Sequence, residues 1–337
     1  MDNPNRPEER PTLKTIAAQT GLAVATVSRA LKDAPDIGEE TKRRVRAVAE
    51  KVGYRPNRAG VRLRTGKTNV IAVVLSTAED VMNHTARLIY SVAEALKGTQ
   101  YHLVVMPYFP ADDPMTPIRY IVETGSADGV IINQTIPDDP RVRYMHDRGI
   151  PFATHGRTDM GIDHPYFDFD NEAFGRLAVR ELVRRGRKRL ALLAPPKSQS
   201  YSQHMIHGFR DEAALLGVEA VVIDAVDSDN STTQVQDFAL EYFTQSDRPD
   251  GLIVASSQAA MAMVAGAELC QQHIGQDFDL VSKEAIRFLS FFRREMIVMQ
   301  EDVSRAGSFL AHAVVKAIER QATGEAEQYL DRPDGFE

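Results

Sequence analysis

Hydroxyl, guanidinium and small apolar groups lie together near the start of the chain, on a short run with helical spacing. Over residues 23–31 this spacing buries one apolar face and exposes Val24, Ala25, Ser28 and Arg29. An exposed arginine can donate two hydrogen bonds to guanine or contact a phosphate, and hydroxyls suit phosphate oxygens. The exposed face therefore has the chemistry of a surface that contacts DNA.

Two neighbouring helices are predicted to position that face. Residues 13–19 have apolar positions three and four apart, and the Thr12 hydroxyl can cap this first helix. Gly21 follows, where a tight turn needs a residue that tolerates positive φ. A third helix is predicted over 38–52. The first two helices and their turn have the pattern of a helix-turn-helix, whose second helix fits the DNA major groove.

The charge of the chain is unevenly distributed. Residues 1–68 carry 15 Lys/Arg against 8 Asp/Glu, a net charge of +7, whereas the remainder carries 25 against 39, a net charge of −14. A basic segment that coincides with a helix-turn-helix is typical of a nucleic-acid-binding region. The length of 337 residues predicts two or three domains, and 43% hydrophobic with 26% charged residues is typical of globular proteins.

Composition also indicates the compartment. The sequence shows no charged-then-apolar leader with a cleavage site and no apolar run approaching twenty residues. A single cysteine, Cys270, excludes an internal disulfide framework and fits a reducing environment. We therefore expect a soluble cytoplasmic protein without a membrane partner.

No enzymatic constellation is evident in the sequence. His204 and His207 are three residues apart, but no acidic or cysteine partners stand at metal-ligand spacing. The Gly-x-Ser-x-Gly and Gly-x-Gly-x-x-Gly patterns, typical of a nucleophile elbow and a dinucleotide loop, are absent. We assign no catalytic residue, no metal and no cofactor, although scattered Ser, His and Asp residues can still converge in space.

From residue 69 onward, short apolar runs alternate with helical patterns. Continuous apolar strands separated by helices predict parallel sheets covered on both faces. The fold class expected is α/β, with a helical headpiece followed by two doubly wound lobes, and ligands bind at the carboxyl ends of such strands. The predicted strands are 69–75, 102–106, 128–133, 151–155, 189–194, 220–223, 251–255, 278–281 and 296–299, and the longer predicted helices are 171–185, 203–216, 258–271 and 303–320.

Three consecutive motifs identify a family resemblance. The runs TLKTIAAQTGLAVATVSRAL, EETKRRVRAVAEKVGYRPN and LRTGKT resemble the headpiece of the LacI/GalR family of bacterial transcription regulators, densely over residues 11–68. The two predicted lobes are similar to the periplasmic-binding-protein-like core of that family. The resemblance implies DNA contacts, to bases or phosphates, by Thr12, Leu13, Val24, Ala25, Thr26, Ser28 and Arg29.

The resemblance also implies a hinge over residues 56–68 that folds on DNA. Leu63 stands where the family inserts a leucine into the minor groove, with Asn57 and Arg58 at the start of the segment. Gly60 replaces the usual alanine, and glycine in a helix costs about 1 kcal/mol relative to alanine. This hinge is therefore expected to fold less readily than the hinges of its relatives.

A small-molecule site is expected between the two lobes. By position in the family pattern and at strand ends, the candidates are His84, Thr85, Asn133, Gln134, Arg157, Asp170, Met205, Ser256 and Glu284. Carboxylates, amides and arginine hold hydroxyl-rich ligands, so we expect a sugar or sugar derivative as the effector. Met205 replaces a customary arginine and Lys283–Glu284 an aromatic–Asp pair, so no particular ligand can be transferred from the family.

These observations predict a homodimeric, ligand-responsive transcription regulator, most simply a repressor that a sugar releases from a pseudo-palindromic operator in double-stranded DNA. The alternatives are a corepressor-dependent regulator, a solute-binding protein with the same two lobes, or a sugar-processing enzyme. The predicted organisation is a disordered arm (1–11), a headpiece (12–55), a hinge (56–68) and a core (69–337). Within the core, the N-lobe takes about 69–165 and 302–322, and the C-lobe about 166–301 and 323–337.

Overall fold

A computed structural model describes residues 11–54, 66–77, 82–109, 111–320 and 326–336. The chain divides into two compact units, Met1–Thr68 and Asn69–Glu337. No helix in the described part of the chain is long and apolar enough to cross a membrane.

The described residues of the first unit form three helices, α1 (Leu13–Thr20), α2 (Val24–Ala30) and α3 (Glu39–Lys51). Gly21 ends α1 with a φ of 69°, the left-handed conformation that favours glycine. The helices pack around a small core of fully or nearly fully buried side chains, which are Ile16, Val27, Ala30, Val45 and Ala49.

The second unit contains two parallel sheets with helices between their strands. The first lobe holds a six-stranded sheet in the order β11-β5-β4-β3-β1-β2, and the second lobe a five-stranded sheet in the order β10-β9-β8-β6-β7. The elements of the first lobe are β1 (Val70–Ser76), α4 (Met82–Ala95), β2 (His102–Tyr108), α5 (Met115–Thr124), β3 (Gly129–Ile132), α6 (Pro140–Asp147), β4 (Phe152–His155), β5 (Tyr166–Phe169), α12 (Val303–Ile318) and β11 (Gln328–Asp331). Those of the second lobe are α7 (Asn171–Arg184), β6 (Arg189–Leu193), α8 (Ser200–Leu216), β7 (Glu219–Val222), α9 (Thr232–Phe243), β8 (Gly251–Val254), α10 (Ser257–Leu269), β9 (Asp279–Glu284), α11 (Leu289–Phe292) and β10 (Ile297–Gln300).

The continuous apolar runs are buried on both faces, as the parallel pattern predicts. In β1, Ile71 and Val73 pack into one cluster with α4 and α12, while Ala72 and Val74 pack into a second cluster on the other face. Successive side chains of a strand point to opposite faces, so a strand covered by helices on both sides needs apolar residues at every position. The predicted α/β class with a helical headpiece is confirmed.

The boundary between the lobes differs from the expectation. Segments 166–169 and 328–331, which the sequence analysis assigned to the C-lobe, form β5 and β11 and lie in the sheet of the first lobe. Phe167 of β5 is buried in the cluster that also contains Ile71. The apolar pattern of a strand predicts that it is buried but does not indicate which sheet it joins, because pairing is set by residues distant in sequence.

Close packing of α7 against α8 depends on a glycine in each helix. A Cβ atom at Gly208 of α8 would lie 2.1 Å from the backbone oxygen of Glu172 in α7, and a Cβ atom at Gly175 of α7 would lie 2.6 Å from the backbone oxygen of Met205 in α8. The absent side chains allow these two helices to approach each other closely. The Gly-Phe pair at 208–209 thus has a packing role here, since Phe209 is also fully buried.

Candidate functional site

The helix-turn-helix is built from local interactions. The Thr12 Oγ1 accepts a hydrogen bond from the Thr15 backbone N–H at 3.4 Å, and the Thr15 hydroxyl in turn accepts from the Thr12 N–H at 3.0 Å. This reciprocal cap fixes the start of α1. Helix α2 buries Val27 and Ala30 and leaves its other face to solvent. One side of α2 is therefore accessible on the surface of the headpiece.

Of the predicted DNA-contact residues within the described chain, five lie on α2, and Thr12 and Leu13 lie at the start of α1. Exposed residues are Thr12, Val24, Ala25 and Arg29, and half-buried residues are Leu13, Thr26 and Ser28. The hinge predictions at Asn57, Arg58 and Leu63 lie outside the described residues.

Arg29 has a partner that the sequence analysis did not foresee. Its guanidinium forms an ion pair with Asp36 in the turn after α2, and both side chains are about half exposed. An exposed pair contributes about 0–1 kcal/mol, so exchanging Asp36 for a phosphate or guanine is inexpensive. The pair holds the arginine ordered near the end of α2.

The core contains a cavity at the carboxyl ends of strands from both sheets. Its empty space is about 890 Å³, open mouth included. His155 and Phe169 end β4 and β5 of the first lobe, while Ala255 and Glu284 follow or end β8 and β9 of the second. Parallel α/β folds place ligands at this edge of their sheets.

Five of the predicted ligand residues line this cavity: His84, Asn133, Gln134, Ser256 and Glu284. The carboxylate of Glu284 accepts from the backbone N–H groups of Phe288 and Leu289 at 3.1 and 3.0 Å and from Gln300 at 2.6 Å. Glu284 therefore orders the loop after β9 as well as facing the cavity.

Four predicted ligand residues lie outside the lining, and three of them, Met205, Asp170 and Arg157, have a local packing, capping or ion-pair role. Met205 is fully buried in the apolar core of the second lobe. Asp170 caps α7 by accepting from the Ala173 N–H at 2.9 Å. Thr85 is buried on α4. Arg157 lies behind the wall, with its Nε 3.4 Å from Asp168 Oδ2. Position in a family pattern did not reveal these packing and capping functions.

Several lining residues were absent from the predicted set. The ionisable or amide side chains among them are His155, Asp168, Asn171, Tyr201, Asp229, Gln258, Lys283 and Glu301. Glu301 directly follows the apolar strand β10, and this strand-end position is a signal that could have identified it. Asp229 lies in the loop between β7 and α9, and no pattern in the sequence brings that loop to the cavity.

A charged network crosses the cavity wall. Lys283 Nζ donates to Glu301 Oε2 at 2.8 Å and to Asn171 Oδ1 at 2.9 Å. His84 Nε2 lies 3.2 Å from Glu301 Oε1. Although burial favours the neutral acid, Lys283 and His84 hold the pKa of Glu301 well below its usual value. Glu301 is therefore ionised and paired.

Three other ionisable groups of the cavity have shifted pKa values. Burial raises the pKa of Asp168 to about 7, against the opposing effect of Arg157. Burial and the charge of Asp227 raise the pKa of Asp229 to about 6. Burial, with the charge of His84, lowers the pKa of His155 to about 3, so this imidazole is neutral.

Some buried polar atoms of the cavity have no hydrogen-bond partner among the described protein atoms. They are Asn133 Oδ1, His155 Nε2 and Asp168 Oδ2. Asp168 Oδ2 is nevertheless 3.4 Å from Arg157 Nε in an ion pair. Buried polar atoms are normally paired, so Asn133 Oδ1 and His155 Nε2 mark where a hydroxylated ligand can donate or accept. The ring of Tyr201 and that of Phe169 supply apolar surface nearby.

Within the described residues, His84, His155 and Glu301 form a group with metal-ligand spacing, their candidate ligand atoms all within 4.8 Å of one another. The ammonium group of Lys283 is already 2.8 Å from the Glu301 carboxylate. A second cation beside it would be repelled in this enclosed space. The group is better described as part of the Lys283 network than as a metal centre.

Comparison with known protein families accounts for both units. Residues 12–57 match the family model described as bacterial regulatory proteins, lacI family. Residues 68–326 match the model described as periplasmic binding proteins and sugar binding domain of LacI family. The chain belongs to the LacI family. This LacI-family protein is a helix-turn-helix transcription regulator and not an enzyme, because its homologues are regulators of a non-enzymatic family.

Two curated relatives illustrate the similarity of this LacI-family chain. It is 38% identical over 192 residues to the HTH-type transcriptional regulator RafR of Escherichia coli, a match covering 56% of this chain and 57% of RafR. It is 30% identical over 279 residues to the HTH-type transcriptional regulator AglR of Rhizobium meliloti (strain 1021), covering 81% of this chain and 78% of AglR. The match to RafR thus spans less than two thirds of that protein.

Solved structures share the fold. A crystal structure of the lac repressor dimer bound to operator and the anti-inducer ONPF is similar with a TM-score of 0.84 and 19% identity, covering 96% of this chain and 97% of that one. The complex of the transcriptional regulator CelR with cellobiose is similar with a TM-score of 0.68 and 21% identity, covering 96% and 98%. At these identities the likeness concerns the fold.

Proposed function

We propose that this protein is a cytoplasmic repressor that binds a pseudo-palindromic operator as a homodimer and is released by a sugar or sugar derivative. The observation that carries the proposal is the combination of two sites in one chain. A helix-turn-helix exposes one face of α2, and a separate unit encloses a cavity lined by hydrogen-bonding side chains at its strand ends.

The headpiece supports DNA binding through charge and shape. Residues 1–68 carry a net charge of +7 in a chain whose remainder is acidic, and such a segment attracts phosphate by releasing counterions. Val24 and Ala25 offer small apolar contacts to bases, and Arg29 offers a guanidinium. In this proposal Thr12, Leu13, Thr26 and Ser28 contact the backbone.

Dimeric binding follows from the geometry of helix-turn-helix recognition. Two heads related by a twofold axis read two half-sites of a palindrome. The similar lac repressor structure is a dimer bound to operator. Asn57, Arg58 and Leu63 are proposed to extend the contact into the minor groove between the half-sites.

The cavity supports a hydroxylated effector. Carboxylate, amide and imidazole groups surround it, two of their buried atoms, Asn133 Oδ1 and His155 Nε2, have no hydrogen-bond partner among the described residues, and aromatic rings lie at its wall. Hydroxyl-rich ligands need this mixture of donors, acceptors and flat apolar surface. The similar CelR structure holds cellobiose. Effector binding would then shift the dimer between two states with different operator affinity.

The test is DNA binding by fluorescence anisotropy, with the upstream region of the gene and a scrambled duplex across a salt series. We expect tight, selective binding that a sugar reverses. If a compound instead strengthened DNA binding, that compound would be a corepressor. Equal affinity for both duplexes at every salt concentration would reject the regulator and favour a solute-binding protein.

The residue assignments have their own tests. Replacing Arg29 by alanine should weaken selective binding by about 10- to 100-fold, because a bidentate guanine contact discriminates by about 1–3 kcal/mol. Leu63→Ala should lower operator affinity much more than affinity for scrambled DNA. Equal losses on both duplexes would assign either residue to general phosphate contact.

A further inference from the structure

The charges that line the effector cavity are mostly negative. Among the described lining residues are four carboxyl groups and one ammonium group. One of the four, Asp168, has a pKa of about 7 because it is buried, so it is only partly ionised near neutral pH. The others are those of Asp229, Glu284 and Glu301, and the ammonium group is that of Lys283. A ligand that enters this space meets these charges at short range, where they are screened far less than in water.

The one ammonium group of the described lining already uses two of its three N–H donors on protein groups. Lys283 Nζ donates to Glu301 Oε2 at 2.8 Å and to Asn171 Oδ1 at 2.9 Å. The same nitrogen lies 5.0 Å from the centroid of the Phe169 ring and 5.7 Å from that of Tyr201. Its charge is compensated by Glu301, so it offers little attraction to an anionic ligand.

Asp229 forms no ion pair among the described residues. Burial and the charge of Asp227 raise its pKa, and the more distant Lys283 and His84 oppose that rise. Its carboxylate accepts from Gln134 Nε2 at 3.4 Å and from the Ser228 hydroxyl at 3.3 Å, both of which are neutral. Asp168 is compensated by Arg157 at 3.4 Å, but Arg157 lies behind the wall and does not line the cavity. The accessible side of the cavity therefore keeps an excess of negative charge.

The helix ends at the cavity are largely engaged by protein groups. An α-helix N-terminus attracts phosphate, and α7, α8 and α10 begin beside the cavity. No side chain caps α8, but its first N–H group, that of Ser200, donates to the Thr135 carbonyl oxygen at 2.9 Å. The first turn of α7 is already capped by the carboxylate of Asp170, 2.9 Å from the Ala173 nitrogen. The first turn of α10 is capped by Ser256, whose hydroxyl also donates to the Ser228 carbonyl oxygen at 3.3 Å and thereby ties the loop of Asp229 to this end.

We propose that the effector is an uncharged saccharide, and that the cavity rejects the phosphorylated and acidic forms of the same sugar. This proposal rests on the proposed function and narrows its ligand. Hydroxyl groups can donate to Asp229, Asp168 and Asn133 and accept from Gln134, whereas a phosphate dianion has no unpaired cation to approach. The repulsion should weaken binding of the phosphorylated form at least about 100-fold.

The charge preference places the signal in a reaction sequence. An uncharged sugar is the substrate of a sugar-phosphorylating reaction, and its phosphate ester is the product. A regulator that responds to the uncharged form reports the arrival of the sugar before phosphoryl transfer. The supplying reaction is then transport without phosphorylation, or hydrolysis of a larger saccharide.

The experiment uses the full-length protein on selective upstream DNA and measures release by matched ligands. The probes are cellobiose, maltose, galactose, glucose and ribose, together with galactose 1-phosphate, glucose 6-phosphate, gluconate, ribose 5-phosphate and inorganic phosphate. We expect at least one uncharged sugar to act and every charged probe to act at least about 100-fold more weakly or not at all. Release by a charged probe at equal or lower concentration would overturn the proposal, as would a panel in which no uncharged sugar acts.

A variant that removes one carboxylate from the cavity tests whether negative charge causes the rejection of phosphorylated sugars. The measured quantity is the concentration of sugar phosphate needed for release divided by the concentration of the active sugar needed. In Asp229→Asn this ratio should be about tenfold smaller than in the parent protein. Asp224→Asn is the matched control, because Asp224 is exposed, pairs with Lys197 and lies outside the cavity. An unchanged ratio in Asp229→Asn, or an equal change in the control, would contradict the proposal. Loss of DNA selectivity would instead reject the regulator, so the two failures are distinguishable.

Discussion

The headpiece and the core build their binding surfaces from different ranges of sequence. The predicted DNA contacts of the described headpiece all lie between Thr12 and Arg29, on two helices and their turn. The cavity of the core is lined by residues from His84 to Glu301, which belong to strands and loops of both sheets. A site made by one helical motif can be located from local spacing, whereas a site made at strand ends depends on the order of the strands.

The two units also differ in how charge is arranged. In the described headpiece Lys42 is buried, but most basic side chains are exposed and the ion pair Arg29–Asp36 is half exposed. The core buries the pair Lys283–Glu301, whose side chains are 11% and 8% exposed. Exposed pairs contribute little to stability and exchange partners readily, whereas removal of one partner from a buried pair is costly. The headpiece can therefore change its contacts on binding, while the cavity is organised in advance.

The largest expected effect is in the core. Lys283→Met leaves the buried carboxylate of Glu301 without its cation and should lower the free energy of unfolding of the core by about 3–5 kcal/mol. Differential scanning calorimetry should show the core transition at lower temperature and the headpiece transition unchanged. The double variant Lys283→Met/Glu301→Gln should recover most of the loss.

The control for this pair is Lys197→Met, which breaks the exposed contact with Asp224. It should change stability by less than about 1 kcal/mol. Equal losses in Lys283→Met and Lys197→Met would remove the contrast between buried and exposed charges.

The next effect is in the headpiece. Ile16 is fully buried in a core of few side chains, so Ile16→Ala should cost about 2–5 kcal/mol and unfold the headpiece first. Selective DNA binding should be lost, while the calorimetric transition of the core remains. Val24→Ala, at a position 40% exposed, should leave both transitions in place. If Ile16→Ala lowered the temperature of both transitions, the two units would unfold together.

The smallest expected effect concerns Asp168, a buried carboxyl group of the cavity. The pKa of Asp168 is about 7 in the folded protein, compared with an ordinary value of 3.8. Burial raises it more than the positive charge of Arg157 lowers it. The weaker effects of Glu301 and Asp170 raise this pKa, and that of Lys283 lowers it. A folded pKa above the unfolded value makes stability greatest below about pH 4, and this contribution is lost as pH rises to about 7.

Asp168→Asn removes this dependence. At pH 8 the variant should be more stable than the parent by about 1–3 kcal/mol, and the difference should shrink as the pH falls towards 4. Urea unfolding of the core at several pH values measures it. A difference that is constant with pH would show that Asp168 does not titrate in this range.

The sequence by itself determined which segments form helices and strands. In the headpiece it also located most of the predicted DNA-contact surface. Spacing of three and four located α1, α2 and α3, and the residues around Gly21 located the turn between the first two. Apolar runs located most strands of the core to within a few residues, because parallel strands are buried on both faces. These features depend on neighbours along the chain, and such neighbours are visible in the sequence.

Tertiary structure alone decided which polar residues meet in the cavity. Asp168, Asp229 and Glu301 come from a strand of the first sheet, a loop of the second lobe and the end of β10, and the same topology turned Met205 into the core and Asp170 to the start of α7. It also moved β5 and β11 into the first sheet. The physical reason is that strand pairing and helix packing are contacts between distant residues, so the same apolar or acidic residue can face a cavity, a core or a helix end.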